Sequence, residues 1–122
     1  MKRLSLTGQE FEQREGYERA VLFDASDFAS ATKLQLMRLA PGQTIKPHHH
    51  NLRTECFRLV AGDGSIKING EVVASSTDDV VLCAPGEVHE FINNSETEYL
   101  LFQVIRTNDP KENDMFWEEN DE

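Results

Sequence analysis

From Lys33 onwards apolar and polar side chains alternate with a period of two, which is the pattern of half-buried strands and not of helices. Lys33-Leu34-Gln35-Leu36 begins the alternation, and Met37-Arg38-Leu39 continues it one step out of phase, which predicts a bulge. Pro41-Gly42 is a turn signal. Residues 56–60 read as a short strand that Gly62-Asp63-Gly64 ends. Residues 65–68 and 71–74 flank Asn69-Gly70, a pair suited to the two-residue hairpin turn whose central positions both need positive φ. Residues 80–83 precede a second turn at Pro85-Gly86, and residues 89–93 and 98–106 supply two more strands. Only residues 9–15 and 24–31 carry any helical pattern, and both are short. Many short strands between Gly, Pro and Asn turns predict an all-β fold, an antiparallel sandwich or barrel in a single domain.

Length and composition agree with one globular domain. The chain has 122 residues, of which 39% are hydrophobic before its seven glycines are counted. The net charge is −10, and residues 109–122 hold seven acidic side chains against Lys111 alone. That segment reads as a solvated acidic tail, although the aromatic pair Phe116-Trp117 within it argues for docking on the barrel or on a neighbouring subunit. An acidic chain without a basic cluster has no footprint for nucleic acid or an anionic membrane, and it argues against phosphate ligands. The segment after Lys2 and Arg3 lacks the apolar stretch of a secretory signal, and no run approaches the ~18 apolar residues of a membrane span. A cytoplasmic location is therefore expected. Cys56 and Cys83 are too few for a disulfide scaffold, and both read as small buried apolar groups.

The chemistry concentrates in four histidines, His48, His49, His50 and His89. On a strand His48 and His50 share a face while His49 points away. Glu55 follows five residues later and can return to the face of His48 and His50, whereas His89 can join them only through the tertiary fold. Gly42, His48, His50, Glu55 and Gly62 stand at spacings that resemble the first motif of the cupin superfamily: glycine, five residues, His-x-His, four residues, glutamate, six residues, glycine. Gly86, His89 and Asn93 match its second motif, with Asp78 where the opening glycine stands and Ala84 where the proline stands. Those two departures concern loop shape and leave the ligand positions intact.

The resemblance covers residues 34–106 and implies a small antiparallel jelly-roll barrel, a double-stranded β-helix, often dimeric. It also implies one divalent transition metal per subunit held by His48, His50, Glu55 and His89. Residues 1–33 are then an N-terminal extension with strands, possible material for a dimer contact, and residues 107–122 an acidic tail. Chemically, three imidazoles and one carboxylate suit iron, manganese, nickel, zinc or copper, and suit calcium or magnesium poorly. Open coordination positions would admit a small oxygen-rich ligand in the barrel. Phe57 and Phe91 share the faces of Glu55 and His89, and Asn93 is placed for hydrogen bonding in a turn. Arg38, Arg53, Arg58 and Arg106 are candidates for holding a carboxylate, with solvated surface as the default for each. No catalytic residue beyond the ligands is identified. Three readings compete: a metal-dependent enzyme acting on a sugar or hydroxy or keto acid, as an isomerase, epimerase, lyase or dioxygenase; a metal-assisted binding module; and a barrel that a metal merely stabilises.

Overall fold

The computed structural model describes residues 1–118. Strands β1 (Glu12–Arg14) and β2 (Tyr17–Phe23) form a hairpin, and a one-turn helix α1 (Ala25–Phe28) follows. Asp24 caps that helix, accepting from the backbone N–H groups of Ser26 and Asp27. Then come β3 (Lys33–Leu39), β4 (Thr44–His49), β5 (Thr54–Ala61), β6 (Gly64–Ile68) and β7 (Glu71–Ala74). The chain closes with β8 (Val80–Cys83), β9 (His89–Asn93), β10 (Leu100–Thr107) and β11 (Phe116–Trp117). They build two antiparallel sheets, a six-stranded one in the order β1-β2-β3-β10-β5-β8 and a five-stranded one in the order β11-β4-β9-β6-β7. The fold is an all-β jelly-roll barrel, and no helix among the described residues is long and apolar enough to cross a membrane.

The core lies between the sheets. Phe57, Leu59, Phe102 and Val104 from one sheet meet Ile45, Ile66 and Phe91 from the other, all at most 2% exposed. The Phe91 and Phe102 rings stack 4.5 Å apart across the gap. Each such fully buried side chain contributes roughly 1.5–3 kcal/mol. The β6–β7 hairpin turns at Asn69 (φ 50°) and Gly70 (φ 84°), the positive values its two-residue turn requires. Gly62 is needed for a second reason: besides its φ of 98°, a Cβ there would lie 2.6 Å from the Tyr99 carbonyl oxygen.

Three expectations need correction. No bulge interrupts β3, whose register against β10 runs unbroken from Lys33 to Leu39. The phase shift arises because this part of the sheet is covered on both faces. Met37 packs inward while Leu36 joins Ala20 and Leu22 in a second cluster covered by Phe11, Phe23 and Leu34. Residues 9–15 are not helical; pairing with β2 draws residues 12–14 into a strand. The acidic segment is not a free tail up to Glu118, because β11 pairs with β4 and Asp114 is only 4% exposed. Its last four positions, 119–122, lie outside the described residues.

Candidate metal centre

The register of the sheets collects the histidines and their neighbours at one end of the barrel. His48 on β4 lies directly opposite His89 on β9. Glu55 at the start of β5 lies opposite Arg106 near the end of β10 on one side and Cys83 at the end of β8 on the other. His48, His50 and His89 are all buried, and one potential ligand atom from each lies within 4.8 Å of the others. His49 turns outward, where its ring stacks on Phe116 and pairs with Glu118.

Each of the three inward rings has its Nδ1 against a backbone carbonyl: His48 on Lys46 at 2.8 Å, His50 on Asp114 at 2.7 Å, His89 on Glu87 at 3.1 Å. A carbonyl oxygen only accepts, so each Nδ1 carries the proton and donates it. In the neutral rings the lone pair is therefore on Nε2. Burial, with the neighbouring His89 ring adding to it, pushes the His48 pKa down to about 3, so that ring is neutral near pH 7. His89 Nε2 is buried without any hydrogen-bond partner among the described residues.

Glu55 faces these nitrogens. Its Oε1 is 2.9 Å from His50 Nε2 and 3.2 Å from His89 Nε2. Its Oε2 accepts from Arg106 Nε at 2.6 Å. Burial alone would raise the carboxyl pKa, but the Arg106 guanidinium, together with the contacts from His50 and His89, outweighs it and holds Glu55 well below the usual range. An ionised carboxylate oxygen thus lies at contact distance from the Nε2 atoms of two imidazoles. Imidazole nitrogens and a carboxylate oxygen converging on one point form a donor set that fits a transition metal. The orientation of each ring by a carbonyl on its far nitrogen is the support that metal-bound histidines use.

Two aromatic rings dry the inner side. Phe57 lies 5.3 Å and Phe91 5.9 Å, centroid to centroid, from the His89 ring. Cys83 Sγ is 3.4 Å from His89 Nδ1, and burial pushes its thiol pKa up to about 12, so it stays protonated. The space among His48, Glu55, Phe57, Arg53 and Arg106 is about 10 Å³, room for one water-sized particle.

The C-terminal segment closes this end. Asp114 accepts from the backbone N–H groups of Asn51, Leu52 and Arg53 at 3.0, 3.0 and 3.1 Å, which fixes the loop between His50 and Glu55. Burial opposes ionisation of Asp114, but those donors outweigh it and its pKa falls below the usual value. Trp117 sits 5.3 Å from the His48 ring.

Arg53 and Arg106 overturn the default of solvated surface, being 8% and 5% exposed. Arg58 is exposed, and Arg38 is half-buried, paired with Glu18 and held over the Phe11 ring. Nothing in the sequence pattern announces Arg106 as the partner of Glu55, 51 residues away, because that contact exists only through strand pairing. Asn93 lies at the opposite end, where its Nδ2 faces the carbonyls of Leu39, Ala40 and Glu98.

The protein-family model for the cupin domain matches residues 35–105. The tetracenomycin polyketide synthase protein TcmJ of Streptomyces glaucescens is 28% identical over 90 residues, covering 73% of this chain and 60% of that protein. An oxalate-binding protein of Thermotoga maritima is 30% identical over 69 residues, 57% of this chain and 57% of its own length. The matches thus span about 60% of these curated relatives. Among solved structures, the polyketide cyclase RemF of Streptomyces resistomycificus superposes with a TM-score of 0.76 at 20% identity, covering 100% of this chain and 88% of that one.

Proposed function

The chain belongs to the cupin family, and from that premise we propose that His48, His50, His89 and Glu55 hold one divalent transition metal per subunit and that the protein is a metal-dependent enzyme acting on a small oxygen-rich molecule, a sugar or a hydroxy or keto acid. The observation that carries this reading is the set of three inward imidazoles, each with its Nδ1 proton anchored on a carbonyl and its Nε2 lone pair left for a cation. Iron, manganese, nickel, zinc and copper suit this donor set. When bound, the metal would act as a Lewis acid toward an oxygen of the ligand. Phe57 and Phe91 exclude water from the inner side, and Arg106 keeps Glu55 ionised. One relative's name refers to oxalate, and a small acid of that kind is compatible with this end of the barrel.

A second reading, a metal that only stabilises the barrel, draws on the small inner space of about 10 Å³. The two part on ligand access: an open site binds a small chelating acid at the metal, and a closed one does not. We further read residues 1–33 and the exposed Val80 and Leu82 of the edge strand β8 as material for a homodimer contact, and the compartment as the cytoplasm. The test is elemental analysis of the full-length protein beside the His48→Ala/His89→Ala variant. Near-stoichiometric metal in the first and none in the second is expected. Absence of metal from the wild type after reconstitution would refute the metal-dependent reading.

A further inference from the structure

Beside the histidine end lies a cleft of about 310 Å³ that shares Tyr17, Arg53, Arg106 and Met115 with the inner space. Its cationic lining comes from distant parts of the sequence: Arg14, Arg19, Lys33, Arg53, Arg106 and Lys111. Among the described residues, three lining carboxylates stand against these six, Asp109, Glu112 and Asp114. Asp114 is already engaged by three backbone donors. In a chain of net charge −10 this is a basic concavity, assembled by folding from residues that form no cluster in sequence. The expectation that the protein lacks a basic cluster is overturned.

The cations are unevenly paired. Arg19 pairs with Glu12 and Arg106 with Glu55, both at 2.6 Å. Arg53 and Lys33 share the single carboxylate of Asp109, at 3.2 and 3.7 Å. Arg14 and Lys111 make no ion pair among the described residues. Arg53 is the junction between cleft and histidines. Its Nη1 reaches Asp109, its Nη2 lies 3.3 Å from His50 Nε2, and its buried Nε has no hydrogen-bond partner among the described residues, with Glu55 Oε2 3.6 Å away as its ion-pair partner. The lone pair of His50 Nε2 cannot serve both Arg53 and a metal. With a cation on that nitrogen, Nη2 of Arg53, a residue that lines the cleft, is left needing an acceptor.

We propose that this cleft is an anion vestibule, which draws a small carboxylate-bearing molecule to the barrel mouth and seats its carboxylate on Arg53 beside His50 and Glu55. The inference names the substrate class for the metal-dependent reading and rests on that reading only for the final placement. A guanidinium fork accepts carboxylate and phosphate alike. The way Arg53 and Lys33 already hold the Asp109 carboxylate favours the former. Because the inner space admits only a water-sized particle, the body of the ligand lies in the vestibule. Arg53 acts there as a specificity-determining residue and Arg14 and Lys111 as attracting charges.

The test is calorimetric titration of the full-length protein, zinc-reconstituted and metal-free, with malonate, inorganic phosphate and glucose as probes. Malonate is expected to bind both forms, more tightly when zinc is present, and its affinity should fall several-fold as salt rises from about 0.05 to 0.5 M. Arg53→Lys should weaken it about tenfold or more, since an ammonium cannot reproduce the fork. Arg14→Gln/Lys111→Gln, at two exposed positions, should weaken it roughly two- to fivefold. Glucose should not bind measurably. Malonate binding that neither variant nor salt alters would overturn the vestibule, and phosphate binding in place of malonate would overturn the carboxylate assignment. A wild type that takes up no zinc yet binds malonate with this salt dependence leaves the vestibule standing and refutes the metal-dependent reading. Zinc uptake without malonate binding does the reverse.

Discussion

At the Asn93 end of the barrel the buried amide is fully engaged: its nitrogen faces three carbonyls, its oxygen accepts from Ser95, and its own N–H reaches Gln43. At the histidine end, a few strand residues away along β9, His89 Nε2 and Arg53 Nε are buried with no hydrogen-bond partner among the described residues, and the Glu55 carboxylate sits against the Nε2 atoms of His50 and His89. Both ends are packed by the same core and built from the same strands. Neutral amides with every group paired make a seam that only holds the structure. Charged and unpaired groups cost stability, and their retention at one end marks the place where something else must complete the bonding.

The largest loss is expected at Arg106. Replacing it with leucine strips the buried Glu55 carboxylate of its nearest cation, and a loss of about 3–5 kcal/mol in urea unfolding is expected. At the other end Asn93→Ala should cost about 2–3 kcal/mol, through carbonyls left without a donor, while metal uptake per folded chain stays unchanged. An Asn93→Ala protein that folds normally but cannot take up metal would erase the distinction between the two ends. Saturating the metal-free protein with zinc at about a hundredfold over its dissociation constant should raise stability by about 2.7 kcal/mol, a gain absent from His48→Ala/His89→Ala. Asp114→Asn should cost about 1 kcal/mol by weakening the clamp on residues 51–53. Because the folded-state pKa of Asp114 is depressed, its contribution is present above its unfolded pKa and is lost as pH falls through the lower folded one. The stability difference between wild type and Asp114→Asn should thus be constant near neutrality and shrink in acid. A difference that instead grew in acid would contradict the assignment of those hydrogen bonds.

The well-paired parts of this fold were the legible ones. Asn69-Gly70, Pro85-Gly86 and the alternating runs between them predict β6 to β9 almost to the residue, because turn chemistry and strand period are local properties. The facing of His48 and His50, with His49 outward, also follows from local alternation. What escaped the sequence depends on which strands pair. The burial of Arg53 and Arg106, the clamp by Asp114 and the six-cation cleft arise only when β5, β10 and the C-terminal segment meet. The absence of a bulge at Met37 was hidden for a related reason: a sheet covered on both faces loses the clean alternation by which register is read. Pairing with β2 likewise converted residues 12–14 from a weak helical pattern into a strand.

Metal binding at this end requires three imidazoles that present Nε2 to a cation while Nδ1 stays protonated on a carbonyl. Nitrogen-15 NMR of the histidine rings in the full-length protein, before and after one equivalent of zinc, tests it most directly. The expected result is the Nδ1–H tautomer for His48, His50 and His89 at neutral pH, with their three Nε2 signals moving together on zinc and those of His49 unmoved. Protons on Nε2 in the metal-free protein, or zinc that moves His49 and leaves the inner three unchanged, would contradict it.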